Sequence, residues 1–288
     1  MKRKGVNLWS LIKESAANWS THKDARLGAA LAYYSIFSMG PLTIIAISIA
    51  GFVFGQDVVR GEVGQEIRGL LGESGAQAIE GMLVGASHPR EGIIPAIIGV
   101  GAMVFAAVGV VVQLKDALNT VWEVQAPKKG GVWNFVRTYI LSLAAVIAVG
   151  FLLLVSLAMT AGLAVVGKFL TPSFPEGMLQ LVGFFASFSV ITALFAMMFK
   201  WLPDAEVEWR DVWLGAIFTG ALFEIGKFVI GLYIGKQGLE STFGAAASLV
   251  VVLIWVYYSA QIVLMGAEFT RAYARRRNLY NSGPRQIK

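Results

Sequence analysis

The segment over residues 209–235 holds the two residues whose types and spacing are most informative about chemistry, Glu224 and Lys227. The segment reads WRDVWLGAIFTGALFEIGKFVIGLYIG and is otherwise that of a lipid-soluble helix. A charge near the bilayer centre costs between about 2.5 and more than 10 kcal/mol, so it is retained only when it pairs, faces a cavity or has a function. Because the two residues stand three positions apart, their side chains share a helix face and can form an ion pair. The pair indicates a polar pathway through a membrane protein, and purely structural pairing is the alternative.

A glycine and a proline mark a second unusual place, in the apolar segment ALAYYSIFSMGPLTIIAIS. Pro41, with Gly40 beside it, removes one backbone hydrogen bond and clashes with the preceding helical turn. We therefore expect this helix to kink or break near the middle of the membrane. A broken helix frees backbone groups that can bind a substrate. A passive kink, satisfied by neighbouring helices, is the alternative.

Polar side chains at comparable depth complete the set of candidate residues. Hydroxyl and amide groups need partners in hydrocarbon, so several of them should face protein or water. Together they could line a cavity that opens to the cytoplasm and is closed on the outside by the charged pair. For the tyrosines, an aromatic belt at the membrane interface is the alternative. The candidate substrate or ion pathway consists of Glu224, Lys227, Tyr33, Tyr34, Ser38, Gly40, Pro41, Tyr257, Tyr258 and Gln261.

Residue patterns that indicate an enzyme or a metal centre are missing from the sequence. There is no cysteine, and the two histidines, His22 and His88, fall on opposite sides of the membrane in the topology predicted below. No HExxH motif, nucleophile elbow or phosphate-binding loop occurs. Glu268, Arg271 and Arg275 stand at spacings of three and four, which indicates a solvated, structural ion-pair cluster. We therefore predict a protein without enzymatic activity, cofactor or metal site.

The composition places the candidate residues in a membrane-embedded helical bundle. The chain is 56% hydrophobic and 15% charged, against roughly 25% charged residues in soluble domains. A helix needs about 20 apolar residues to cross a bilayer. The sequence predicts an all-α polytopic membrane protein, one integral domain over residues 1–288, with six transmembrane helices at Gly28 to Phe54, Ile93 to Leu114, Thr138 to Gly167, Met178 to Phe199, Val212 to Gly235 and Thr242 to Ala267.

Basic residues set the predicted orientation. They concentrate in the N-terminal arm (residues 1–26), between the second and third spans, and in the tail (residues 271–288), regions that share a side if all six spans form. The positive-inside rule then places both termini in the cytoplasm. Because this rule explains the net charge of +6, no nucleic-acid partner is expected. The sequence does not begin with a secretory cleavage signal, so we expect insertion without processing.

The N-terminal arm contains a predicted amphipathic helix over residues 6–19. It either lies on the inner membrane surface or packs against the cytoplasmic end of the bundle. Thr21 and Asp24 resemble a capping box at the start of the first span. The apolar face of the predicted helix consists of Trp9, Ile12, Ala16 and Trp19.

The extracytoplasmic loop over residues 57–91 is longer than a connection between two spans requires. Apolar residues recur in it at helical spacing on both sides of a glycine-containing break at residues 72–75. We expect one or two short amphipathic helices that cap the outer face of the bundle.

Four stretches of the sequence occur in a distinctive order: ALAYYSIFSMGPL, LNTVWEV, FKWLPDAEVEWRDVWLGAIFTGALFEIGKFVIGLYI and FGAAASLVVVLIWVYYSAQIVLMGAEFTRAY. They resemble the YihY/BrkB family of bacterial inner-membrane proteins, and the resemblance covers nearly the whole chain. It implies a six-helix protein of the bacterial inner (plasma) membrane. Members of the family have been called ribonuclease BN, a name regarded as a misassignment, and others are linked to serum resistance or to transport of lipid-like molecules.

The residues and the resemblance predict a transporter or flippase-like protein for a lipid-like amphiphile or a small solute, without ATP hydrolysis of its own. The alternative is a non-transporting membrane protein that organises envelope lipids or partner proteins. A ribonuclease is disfavoured, because two distant histidines and no cysteine cannot build a histidine-rich dinuclear metal centre. Membrane lipids are the expected partners, and a homo-oligomer is compatible with either function.

Overall fold

The computed structural model describes residues 8–54, scattered positions between 61 and 81, and residues 108–124, 176–236 and 247–281. Regular structure in these residues is helical throughout, so the predicted all-α class is confirmed for them. The helices are α1 (Leu8–Thr21), α2 (Asp24–Phe54), α3 (residues 108–121), α4 (Glu176–Trp201), α5 (Trp209–Lys236) and α6 (Ala247–Asn281).

Three helices in the described residues are long and apolar enough to cross a membrane: Leu181–Trp201, Trp209–Ile230 and Leu249–Arg277. They correspond to the predicted fourth, fifth and sixth spans. The predicted first span lies within α2, whose 31 residues would reach about 46 Å. Most of the second span and all of the third lie outside the described residues, so the count of six remains a prediction.

Helices α5 and α6 approach closely through paired glycine and threonine residues. A Cβ atom on Gly215 of α5 would lie within 3.0 Å of Thr270 of α6, and one on Gly266 of α6 would lie within 3.0 Å of Thr219 of α5. Each threonine hydroxyl donates to the carbonyl of the glycine one turn earlier in its own helix, at 2.7 Å. Small residues of this kind allow membrane helices to approach closely. The two contacts run in opposite chain directions and therefore make α5 and α6 antiparallel.

The main core lies where α2, α3, α4, α5 and α6 meet. Its buried members include Leu31, Leu118, Phe199, Val212 and Leu264, one from each helix. The connection between α4 and α5 closes one end of this core. There the side-chain amide of Asn119 donates to Asp204 Oδ2 at 3.0 Å, and Asn119 Oδ1 accepts from the Asp204 backbone N–H at 2.8 Å.

The amphipathic helix α1 packs against the same end of the bundle. Leu11 is buried against Phe269 and Ala272 of α6, and Arg276 of α6 forms an ion pair with Glu14 at 2.5 Å. Packing against the bundle is therefore the arrangement that the structure shows. Four segments meet at this end of the bundle: the N-terminal arm, the end of α3, the α4–α5 connection and the tail-side end of α6. The predicted topology places all four on the same side of the membrane.

The predicted apolar face of α1 is partly wrong. Trp9 is 63% exposed, and Ala16 is also exposed. Leu11 and Ser15 are the buried residues. The difference has a physical reason: Ser15 satisfies its hydroxyl within the helix by donating to the Leu11 carbonyl at 2.8 Å, so it can be buried without a further partner.

The segment over residues 57–91, predicted to be extracytoplasmic, is helical at its described positions between 61 and 81. Ile79 is buried in a small core with Ile230 of α5 and with Val252 and Trp255 of α6. This core lies at the end of α5 remote from Trp209, about 31 Å along the helix. The described residues of this segment therefore include a helical position packed against the far end of the bundle, and a cap on the outer face of the membrane remains a prediction.

Candidate functional site

Glu224 and Lys227 form the ion pair that their spacing predicts. The Lys227 ammonium lies 2.8 Å from Glu224 Oε2, on one face of α5. The Glu224 side chain is 13% exposed, whereas that of Lys227 is 36% exposed. Glu224 lies about 22 Å from the start of α5, deep within the apolar helix. The acidic member of the pair is therefore less accessible than the basic one.

Tyr258 of α6 is the candidate residue that packs on α5 beside this pair. Its ring packs on Gly226, between the two charged residues in sequence, where a Cβ atom would lie within 3.0 Å of three Tyr258 atoms. Tyr258 and Met39 both pack against the small core around Ile230. Helices α2, α5 and α6 thus meet at the depth of the charged pair.

The predicted break in the first span is not present. Helix α2 runs from Asp24 to Phe54 through both Gly40 and Pro41. The Thr43 hydroxyl donates to the Met39 carbonyl at 2.8 Å, which adds a hydrogen bond in the turn that the proline interrupts. Gly40 is buried, and the side chain of Pro41 lies outside the described part of the chain. Backbone groups freed by a break therefore do not contribute to the site.

The remaining candidate residues fall into three environments. Ser38 is buried and donates to the Ser35 carbonyl at 3.0 Å within its own helix. Gln261 belongs to the end of the bundle, where its Oε1 accepts from Trp19 Nε1 at 3.0 Å and its Nε2 donates to the Asp24 carbonyl at 3.4 Å. Tyr33, Tyr34 and Tyr257 are exposed.

A cluster that the sequence analysis missed lies beside Gln261. One donor atom from each of His22, Asp24 and Glu268 lies within 4.8 Å of the others. Asp24 and Glu268 are fully buried, and His22 Nδ1 is hydrogen-bonded to Glu268 Oε1. We call these three residues the acid–histidine cluster.

The turn between α1 and α2 and the end of α3 position this cluster. Lys23, between His22 and Asp24, has a φ of 59°, and Glu123, which follows α3, has a φ of 52°. Such left-handed backbone is uncommon for residues other than glycine. The Lys23 carbonyl accepts from the Arg26 N–H at 2.8 Å and begins α2. The resulting tight turn directs His22 and Asp24 towards Glu268 of α6.

Burial and charge shift the pKa values of the cluster. Burial, and next the negative charge of Glu268, raise the pKa of Asp24 to about 7. Burial alone lowers the pKa of His22, but hydrogen bonds and charge from Glu268 and Glu123 outweigh burial and raise it. The carboxylate of Glu123 also pairs with Arg271 at 2.5 Å, and this hydrogen bond and charge lower the pKa of Glu123.

Two sequence-based expectations are corrected here. Glu268 is not part of a solvated cluster, because α6 continues beyond the predicted end of its span and packs against α1 and the α1–α2 turn. Arg271 pairs with Glu123 instead, and Arg275 is exposed. The predicted capping box is also wrong. The Thr21 hydroxyl donates to the Ala17 carbonyl within α1, and both carboxylate oxygens of Asp24 lack a hydrogen-bond partner among the described residues.

Comparison with known proteins places this arrangement in a family. The family model for virulence factor BrkB matches residues 16–286, a range that includes both the charged pair and the acid–histidine cluster. The chain belongs to the BrkB family. The sequence resemblance is thereby confirmed, together with its implication of a membrane protein.

Curated relatives of this BrkB-family chain include proteins named UPF0761 membrane protein. The protein of Verminephrobacter eiseniae is 28% identical over 248 residues, which are 84% of this chain and 57% of the relative. The protein of Pseudomonas aeruginosa is 28% identical over 259 residues, 88% of this chain and 60% of the relative. The chain therefore spans less than two thirds of the length of these relatives. No solved structure matches it significantly.

Proposed function

We propose that this membrane protein transports or flips a lipid-like amphiphile or a small charged solute, without enzymatic activity of its own. The observation that carries the proposal is the Glu224–Lys227 ion pair, 2.8 Å long, deep in an apolar helix that meets the requirements for a membrane span. Keeping two ionisable groups there is costly unless they pair or act on a substrate.

The unequal burial of the pair assigns a role to each member. Lys227 is the more accessible residue and carries a compact charge with three hydrogen-bond donors, which suits an anionic phosphate or carboxylate headgroup. When Lys227 binds such a group, the more buried Glu224 loses its partner, and a carboxylate left alone at this depth is costly. Return of Lys227 to Glu224 would therefore favour release of the headgroup.

The surroundings of the pair support an amphiphilic ligand. Exposed apolar side chains of α5, among them Ile225, Phe228 and Val229, flank Lys227 in sequence. A ligand with a charged head and an apolar tail would satisfy both kinds of surface. We place the protein in the bacterial inner membrane with both termini in the cytoplasm, and propose membrane lipids as its partners.

A second candidate function is supported by the packing between α5 and α6. The Gly215–Thr270 and Gly266–Thr219 contacts leave no space for even one additional methyl group at either glycine. Such contacts suit a rigid bundle that organises envelope lipids or partner proteins without transporting anything. In that case the charged pair is structural.

Reconstitution into vesicles distinguishes the two functions. The full chain is placed in vesicles that contain trace fluorescent lipids with anionic or zwitterionic headgroups, and movement between leaflets is measured by dithionite quenching. Transport predicts faster movement of the anionic probe than in protein-free vesicles, with loss of the difference in Lys227→Met. Equal rates with and without the protein, for both probes and for a small organic anion, would favour the organising function.

A further inference from the structure

The buried carboxylate of Asp24, at the end of the bundle, lacks the partners that buried carboxylates need. Both oxygens of the fully buried Asp24 have no hydrogen-bond partner among the described residues, whereas the buried Glu268 has the side chains of His22 and Asn18 beside it. An unsatisfied buried acceptor costs about 1–3 kcal/mol, and more when it is charged. Groups of this kind call for a proton, a water molecule or a cation.

The residues that surround the unsatisfied oxygens favour a cation. Three carboxylates, those of Asp24, Glu268 and Glu123, lie around one guanidinium, that of Arg271, and one imidazole, that of His22. Arg271 directs its charge towards Glu123 at 2.5 Å and towards the Val121 carbonyl at 2.8 Å. The oxygens of Asp24 receive no hydrogen bond from Arg271.

We propose that His22, Asp24 and Glu268 bind one divalent first-row transition-metal ion, such as Mn²⁺ or Zn²⁺. Each contributes one donor atom, and the three atoms already lie within 4.8 Å of one another. Donors about 2.1 Å from a tetrahedral metal are about 3.4 Å apart, a spacing that lies within the 4.8 Å range of these three atoms. An imidazole with two carboxylates suits these ions better than Ca²⁺, which takes six to eight oxygen ligands.

The metal would join three parts of the chain that are distant in sequence. His22 lies in the α1–α2 turn, Asp24 begins α2 and Glu268 lies in α6. A metal ion at this position would link α1 and α2 to α6. The proposal does not depend on transport, because Glu224 and Lys227 lie elsewhere in the bundle.

Metal binding to the full chain in detergent or nanodiscs tests this proposal. After chelator treatment, Mn²⁺ is titrated with detection by electron paramagnetic resonance, and Zn²⁺ by calorimetry. We expect one ion per chain, a melting temperature that rises with metal concentration, and binding at least about 100-fold weaker in Asp24→Asn. The matched control is Glu123→Gln, which removes a carboxylate that contacts His22 but lies outside the three ligands.

The Asp24→Asn variant separates a metal site from a purely structural cluster. Asparagine has the shape of the neutral acid, so without metal the variant should be at least as stable as the parent protein. With metal, the parent should become the more stable of the two. The proposal is wrong if neither ion binds at about 1 mM, if Asp24→Asn binds as well as the parent, or if Ca²⁺ binds more tightly than both ions.

Discussion

Replacing Gly226 by alanine should destabilise the contact between α5 and α6 beside the charged pair. The added Cβ atom would lie within 3.0 Å of Cε1, Cζ and the hydroxyl oxygen of Tyr258. Because these atoms belong to a rigid ring, no flexible end can give way, and the whole ring or one helix must move.

Two effects of opposite sign decide the magnitude. Alanine favours a helix over glycine by about 1 kcal/mol. Overpacking in a filled core costs about 1–3 kcal/mol, and contact with three ring atoms places Gly226 at the upper end of that range. The expected net loss is therefore about 2 kcal/mol. In the Tyr258→Ala background the ring is absent, so the same change should be neutral or slightly stabilising.

The assay is thermal or denaturant unfolding of each variant in the same detergent, arranged as a double-mutant cycle. Gly183→Ala is the matched control, since a Cβ atom there meets nothing within 4 Å. Gly226→Ala should lower stability relative to Gly183→Ala, and Tyr258→Ala should remove the difference. If Gly226→Ala and Gly183→Ala are equally stable, the packing of Tyr258 on Gly226 does not hold α5 against α6.

Three further predictions concern the topology, the proline and the amphipathic helix. Reporter fusions at Gly75 and Gly283 should report opposite sides of the membrane, and a common side would contradict the six-span topology. Pro41→Ala should leave insertion and transport largely unchanged, because α2 is continuous there; loss of transport in a well-folded variant would restore a functional hinge. Arg276→Met removes hydrogen bonds to the Glu14 carboxylate and the Ser10 carbonyl. The backbone amides of α1 should then exchange with solvent several-fold faster for each kcal/mol of stability lost. Arg275→Met, at an exposed position, should leave this exchange unchanged.

Local sequence patterns predicted the helices and the charged pair because both depend on neighbours within one segment. Apolar runs of about 20 residues identify the spans that correspond to α4, α5 and α6. The spacing of Glu224 and Lys227 alone places them on one helix face. In both cases the information lies within a few turns of a single helix.

The acid–histidine cluster could not be predicted in the same way. His22 and Glu268 are 246 positions apart, and the charged residues after Glu268 favour a solvated helix end over a buried contact. The tight turn that brings His22 to Glu268 depends on left-handed backbone at Lys23, which the sequence does not signal with glycine or asparagine. The short spacing of His22 and Asp24, next to the predicted first span, was the one local signal available.

Transport activity of a well-folded Glu224→Gln, Lys227→Met double variant tests the central claim most directly. This variant removes both charges together, so neither is left buried alone. The control is Arg68→Met with Glu80→Gln, which neutralises an exposed ion pair of the same 2.8 Å length in the segment over residues 57–91. The transport proposal predicts that the Glu224–Lys227 double variant inserts and folds but no longer moves the anionic probe, while the control remains active. Parental activity in the Glu224–Lys227 double variant would show that the pair is only structural.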